Sequence, residues 1–296
     1  MTGPILLFGG NGQVGWELRR TLAPLGDVRA LERADVDLVD RDALRRAVRE
    51  AAPSLIVNAA AYTAVDRAEE DAALAHAVNA EAPRILAEEA KRLDAGLVHF
   101  STDYVFDGSA SRAYRETDAP APANVYGESK LAGETAIQDI GCAHLILRTS
   151  WVYSMRGANF LLTVRRLAGQ LEELRIVGDQ RGAPTWARSV AETVALLVAR
   201  CGAPDRVGDL REQGGLYHLT ASGETSWHGF AVAVVDWMRA TGQPVRCRQI
   251  HAIPTTDYPT PARRPANSVL DCSRLREAFG IVIPDWRDQL SLCCDE

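Results

Sequence analysis

The 296-residue chain predicts an α/β fold, a doubly wound parallel sheet with a smaller α/β lobe toward the C-terminus. Two observations carry that expectation. Short continuous apolar runs alternate with amphipathic stretches through the first half of the chain, and a glycine-rich turn joins the first run to the first helix. Hydrophobic residues at 47% and charged residues at 24% supply enough apolar material for a sheet covered on both faces.

Taken in order, PILLF reads as the first strand and is followed by a helix through about Leu25; VRAL reads as the second, followed by a helix through Ala52. SLIVNAA, a long helical stretch, GLVHFS and HLILRTSWVY continue the rhythm. Strands that are apolar without alternation suit a parallel sheet, and strand, crossover helix, strand is the unit that builds one. After about Gly157 longer helices alternate with Pro- and Gly-rich connections such as GDQRGAPT, REQGGLYH and HAIPTTDYPTPARRP. Residues 1–155 are therefore expected to form a nucleotide-binding domain and residues 156–296 mainly a substrate lobe, with LYHLTA a candidate to return to the first sheet. No internal repeat is evident.

In FGGNGQVGWEL, Gly9, Gly12 and Gly15 stand between the first strand and its helix. The first permits a tight turn, the second lets the backbone approach a pyrophosphate, and the third lets helix pack on strand, while the helix N-terminus attracts negative charge. With Gln13 and Val14 they predict a dinucleotide site of the Rossmann type. The end of the second strand addresses the adenosine ribose, where a carboxylate suits a 2′-hydroxyl and an arginine a 2′-phosphate. The chain reads ALERAD there, so Glu32 favours NADH and Arg33 favours NADPH, and both remain open. Asp37 and Leu38 are candidates for the adenine, and Asn58 through Thr63, including Ala59, Ala60, Ala61 and Tyr62, for the nicotinamide side.

Composition narrows the partners. A net charge of −6 with scattered Lys and Arg argues against nucleic acid and anionic membrane. No apolar run approaches the roughly 18 residues needed to span a bilayer, and MTGPILLFGG has no basic region before its apolar stretch. Six cysteines without zinc-like spacing suit reduced thiols, and a cytoplasmic location is expected.

Tyr126 and Lys130 stand four residues apart in NVYGESKLAGE, one turn apart on one helix face. A phenol with a pKa of roughly 10 donates a proton poorly at neutral pH unless an ammonium stabilises its anion, and Lys130 is placed to do so. The pair predicts proton transfer in a reductase.

VNAAAYTAVDRAE, HFSTDYVFDG, NVYGESKLAGE, LRTSWVY, GDQRGAPT, GLYHLTASG and YPTPARRPANSVLD together resemble the dTDP-4-dehydrorhamnose reductase family of extended short-chain dehydrogenases, over nearly the whole chain. The three-residue spacing of the first two glycines fits that family's turn. The resemblance implies reduction at C4 of dTDP-4-dehydro-6-deoxy-L-mannose by a reduced nicotinamide, with Thr102 bonding the carbonyl, Tyr126 donating the proton and Lys130 also holding the nicotinamide ribose. Ser101 is an alternative hydroxyl. For the dTDP-sugar it implies contacts from Asp103, Trp151, Asn159, Gln180 and Arg263, with Arg264 beside it. Related dehydratases follow the threonine with Asp and Glu; Tyr104 replaces that Glu, which leaves carbonyl reduction and frees Asp103 for a sugar hydroxyl. Some relatives form dimers bridged by Mg²⁺ through carboxylates. Glu17 matches one of these, but Arg188 stands at another, and a guanidinium cannot ligate a hard cation. A monomer or metal-independent homodimer is expected. The competing readings are a reductase of another dTDP-4-keto-6-deoxysugar and a non-catalytic NADP-binding regulatory subunit.

Overall fold

In the computed structural model, which describes residues 3–201 and 207–294, the apolar runs form the strands of one parallel sheet. The chain runs β1 (Ile5–Phe8), α1 (Gln13–Thr21), β2 (Val28–Leu31), α2 (Arg41–Ala51) and β3 (Leu55–Asn58). Then follow α3 (Val65–Ala68), α4 (Ala72–His76), a π-helical turn (Ala77–Glu81), α5 (Ala82–Leu93), β4 (Gly96–Thr102), α6 (Val125–Ile140) and β5 (His144–Thr149). Beyond them lie β6 (Val152–Tyr153), α7 (Phe160–Gln170), β7 (Glu173–Val177), β8 (Arg181–Gly182), β9 (Thr185–Trp186), α8 (Ala187–Cys201) and α9 (Val207–Gln213). The remainder is β10 (Gly215–His218), β11 (Thr225–Ser226), α10 (Trp227–Ala240), β12 (Gln249–Ile253), α11 (Ser273–Phe279) and α12 (Trp286–Cys294).

The main sheet has the order β10-β5-β4-β3-β1-β2 with every pair parallel. LYHLTA thus does return to the first sheet, beside β5. Alternation within β1 divides the core: Ile5 and Leu7 pack with Leu18, Val57, Val98 and α8, whereas Leu6 and Phe8 pack with Leu44, Val48 and Leu86 on the other face. A separate cluster around Tyr153, Leu161, Phe230 and Trp286 fills the second lobe. Each such side chain, fully buried, contributes about 1.5–3 kcal/mol. Because β2 and β3 flank β1 on opposite sides, the crossovers diverge at the carboxyl ends of β1 and β3, and a crevice opens there.

The long helical stretch expected after β3 is interrupted. Residues 59–64 are irregular, and the π turn carries the buried Asn79, whose amide accepts from Tyr62 N at 2.9 Å and donates to Tyr62 O at 3.0 Å and Ser129 Oγ at 3.0 Å. Those bonds hold an irregular strand-end segment against α6. Among the described residues no helix is long and apolar enough to cross a membrane.

Candidate active site

A cavity of about 870 Å³ occupies the crevice and runs from the glycine turn past the ends of β3, β4 and β5 to α10. At one end, Gly9 has φ +80°, a conformation that favours glycine. A Cβ on Gly15 would lie 2.0 Å from Gly9 O, so α1 rests directly on the turn. Gly12 is the N-cap of α1 and offers no side-chain cap, leaving the helix's first N–H groups without a capping side chain. Gly9, Gly12, Gln13 and Val14 line the cavity. Turn and helix end have the form and polarity a pyrophosphate requires, so these residues fit a dinucleotide.

Glu32, Arg33, Asp37 and Leu38 line the same end. Glu32 Oε2 accepts from Asn11 Nδ2 at 3.5 Å, and Arg33 pairs with Asp37 at 3.5 Å. Ala59, Ala60, Ala61, Tyr62 and Thr63 form the opposite wall.

The middle of the cleft holds Thr102, Asp103, Tyr126 and Lys130. Helix α6 begins immediately before Tyr126 because Asn124 caps it, accepting from Gly127 N at 2.8 Å. Gly127 lets the helix approach the turn after β4, since a Cβ there would meet Tyr104 O at 2.2 Å. Thr102 Oγ1 donates to Asp103 Oδ1 at 3.1 Å and accepts from Tyr104 N at 3.2 Å. Burial pushes the Tyr126 phenol above its ordinary range, and its hydrogen bond with Thr102 opposes that rise. Burial likewise raises the Asp103 carboxyl from 3.8 to about 6 against hydrogen bonds from Ser268 and Thr102. The Lys130 ammonium is not directed at the phenol as the spacing suggested. Its Nζ donates to Phe100 O at 2.5 Å and meets His99 Nε2 at 3.2 Å, and burial lowers its pKa to about 8. Ser101 Oγ also borders the cleft, buried and without a hydrogen-bond partner.

The far wall is aromatic. Trp151 adopts φ +47° and stacks on Trp227 with ring centroids 3.6 Å apart and 9° between planes. Gly182 makes room, because a Cβ there would fall 2.5 Å from the Trp151 ring. Phe160 lies 4.6 Å from Trp227. Asn159 lines the cleft, yet its amide is committed internally: Nδ2 donates to Gln13 Oε1 and Ser154 O, both at 2.8 Å, while Oδ1 accepts from Leu162 N at 3.1 Å as the cap of α7.

Five sequence-predicted residues, Gly15, Asn58, Gln180, Arg263 and Arg264, are absent from the cavity wall. Asn58 is buried at the end of β3, its Nδ2 3.1 Å from His99 Nδ1. Gly15 lies beneath the turn and acts by packing. Gln180 lies behind Trp227, accepting from Trp227 Nε1 at 3.1 Å and donating to Thr255 Oγ1 at 3.1 Å, so it positions the ring rather than facing a ligand. The Arg263 side chain is exposed outside the cavity, while its carbonyl accepts from Asn124 Nδ2 at 2.9 Å. Arg264 is committed too, to Asp66 Oδ2 at 2.7 Å and Tyr104 OH at 3.3 Å. Glu17 is paired with Arg20, and Arg188 with Glu192 at 3.1 Å. Sequence reasoning missed Trp227, Phe160 and Arg156, the last of which lines the cleft and stacks over Trp16 at 3.5 Å. The SWHGF run offered only an aromatic-rich helix start as a signal.

The family described as "RmlD substrate binding domain" matches residues 1–296. The chain is 52% identical over 291 residues to the dTDP-4-dehydrorhamnose reductase of Burkholderia thailandensis, covering 98% of this chain and 97% of that protein. It is 46% identical over 288 residues to the enzyme of the same name from Escherichia coli K12, covering 96% and 94%. Its fold is similar to a crystal structure of dTDP-4-dehydrorhamnose reductase from Bacillus anthracis in complex with NADP, with a TM-score of 0.89, 31% identity and 99% of both chains covered. The chain therefore belongs to the dTDP-4-dehydrorhamnose reductase family of extended short-chain dehydrogenases.

Proposed function

We propose that the cleft reduces the C4 ketone of dTDP-4-dehydro-6-deoxy-L-mannose to dTDP-L-rhamnose, with NADPH or NADH as reductant. The supporting observation is the convergence of Thr102, Tyr126 and Lys130 in one cavity with the glycine turn, in a chain closely similar to enzymes bearing that name. A reduced nicotinamide bound here would supply the hydride. Gly9, Gly12, Gln13 and Val14 hold the pyrophosphate, Glu32, Asp37 and Leu38 face the adenosine, and Ala59 through Thr63 flank the nicotinamide. Lys130 engages the ribose hydroxyls.

Thr102 orients the substrate carbonyl and Tyr126 delivers a proton to its oxygen as negative charge develops. A phenol held above its ordinary range stays protonated at neutral pH, so the donor is loaded before the reaction begins. Asp103 receives a sugar hydroxyl, and the Trp151–Trp227 stack borders the sugar. Residues 1–155 serve mainly the nucleotide and the later residues the substrate, in a cytoplasmic monomer or homodimer. Glu32 and Arg33 both border the adenosine end, which supports use of either nucleotide.

The test is oxidation of NADPH and of NADH with freshly generated dTDP-4-dehydro-6-deoxy-L-mannose, with its 4-keto-6-deoxy-glucose precursor as control. Turnover only with the former is expected. Turnover with the precursor assigns another deoxysugar, and none with either sugar despite nucleotide binding assigns a regulatory subunit.

A further inference from the structure

We infer that Gln13, although it stands in the glycine turn, is a positioning residue for the aromatic wall on the far side of the cleft. It opens α1 and lines the cavity, but its side-chain oxygen is engaged by the loop that joins β6 to α7. Asn159 Oδ1 accepts from Leu162 N at 3.1 Å, so the Asn159 amide nitrogen is the atom that faces Gln13. The other atoms within hydrogen-bond reach of that nitrogen are carbonyl oxygens, Ser154 O at 2.8 Å and Arg156 O at 3.0 Å, and a donor so placed requires the oxygen of Gln13 rather than a second amide nitrogen. Gln13 Oε1 supplies it at 2.8 Å and also accepts from Ser154 Oγ at 2.9 Å. One acceptor in the dinucleotide turn therefore gathers two donors across 141 and 146 positions of sequence.

The loop carries that contact to the wall. Asn159 is the N-cap of α7, and Phe160, the first residue of the helix, lies 4.6 Å from Trp227, which stacks on Trp151. Removing the Gln13 oxygen takes an acceptor from buried Ser154 and from Asn159 together, and frees one side of the amide that caps α7. The loop's other tie to α1, the stack of Arg156 on Trp16 at 3.5 Å, holds the exposed guanidinium and not the Asn159 amide. The backbone N–H of Gln13, among the first of α1, is the part that a pyrophosphate meets, and it survives any substitution but proline. Side chain and backbone of one residue thus serve opposite ends of the cleft.

This inference deepens the proposed function and rests on the wall bordering the sugar, but its primary test reads the wall without substrate. The chain has six tryptophans; with 5-fluorotryptophan incorporated, the ¹⁹F resonance lost in Trp227→Phe is that of Trp227, and Trp237, toward the far end of α10, is the reference. In Gln13→Leu the Trp227 resonance should shift. In Gln13→Glu, whose carboxylate accepts both bonds, it should return to its wild-type position. Binding should separate the two variants in the opposite sense. Gln13→Leu should raise the KM for dTDP-4-dehydro-6-deoxy-L-mannose about tenfold with a smaller change in kcat, and leave NADPH affinity within about threefold. Gln13→Glu should keep that KM and weaken NADPH about tenfold, because it sets a like charge beside the pyrophosphate at the helix N-terminus. An unmoved Trp227 resonance in folded Gln13→Leu, or equal displacement in both variants, overturns the inference. If Gln13→Leu fails to fold, Gln13→Ala takes its place, since it removes the acceptor without adding an apolar group to the cleft. If the resonance moves and the KM does not, Gln13 keeps its role and the aromatic wall loses its place at the sugar.

Discussion

Gly15 and Gly12 stand three residues apart and should fail in different ways when each is replaced by alanine. A Cβ on Gly15 falls 2.0 Å from Gly9 O and 2.8 Å from Gly9 C, both backbone atoms that no rotamer change can move aside. Helix α1 must lift by about an ångström, against Leu18 and Leu22, which are fully buried. Overpacking of this kind costs about 1–3 kcal/mol, which for a chain of this length lowers Tm by roughly 2–6 °C. The same shift withdraws the uncapped helix end from an anion. Losing one charge-assisted hydrogen bond with part of the dipole attraction costs about 2 kcal/mol, or roughly thirtyfold in NADPH affinity. Gly12 has only Gly9 O near its built Cβ, at 3.3 Å. Gly12→Ala should leave Tm within about 1 °C and still weaken NADPH about tenfold, because the added methyl stands where a pyrophosphate approaches the backbone. Calorimetric unfolding and isothermal titration with NADPH on both variants separate the effects. Unchanged NADPH affinity in both would refute the assignment of this turn to the pyrophosphate.

Three further outcomes are expected. Tyr126→Phe should lower kcat by about 10²–10⁴-fold with NADPH affinity unchanged, measured by steady-state turnover and titration; near-normal kcat would remove Tyr126 as the donor. Asp103→Asn should raise stability at pH 7.5 by about 3 kcal/mol, because burial lifts the folded-state carboxyl from 3.8 to about 6. The folded state binds the proton more tightly, so this cost is full above about pH 6, shrinks as pH falls toward 3.8 and is gone below it; urea unfolding at pH 7.5 and pH 4 checks the sign, and an equal gain at both would contradict it. Trp227→Ala should raise the substrate KM about tenfold with a smaller change in kcat, since the stack with Trp151 loses about 1–1.5 kcal/mol of ring contact; a loss confined to kcat would place Trp227 elsewhere in the reaction.

Much of the sheet is legible in the amino-acid sequence because parallel strands are buried on both faces, and SLIVNAA, GLVHFS and HLILRTS therefore read as continuous apolar runs. The glycine turn is legible because its requirement is local: three backbone positions, one of them at positive φ. The orientation of Lys130 is not. It is set by Phe100 O and by the His99 imidazole, which Asn58 of a different strand contacts from its other nitrogen. Gln180 and Arg263 have the donors suited to a nucleotide, and only tertiary packing puts one behind Trp227 and the other outside the cavity. Trp227 reaches the cleft from α10 by stacking on a tryptophan 76 positions earlier, a distance over which no periodicity carries a signal. The irregular segment after β3 is held by Asn79, whose amide bonds Tyr62 N and O across 17 positions of sequence.

The most direct measurement is the configuration at C4 of the product formed from dTDP-4-dehydro-6-deoxy-L-mannose with deuterated NADPH, read by proton and deuterium NMR. The account predicts dTDP-L-rhamnose carrying one deuterium at C4, formed at a rate that collapses in Tyr126→Phe. The C4 epimer, dTDP-6-deoxy-L-talose, or a product without deuterium at C4, would contradict it.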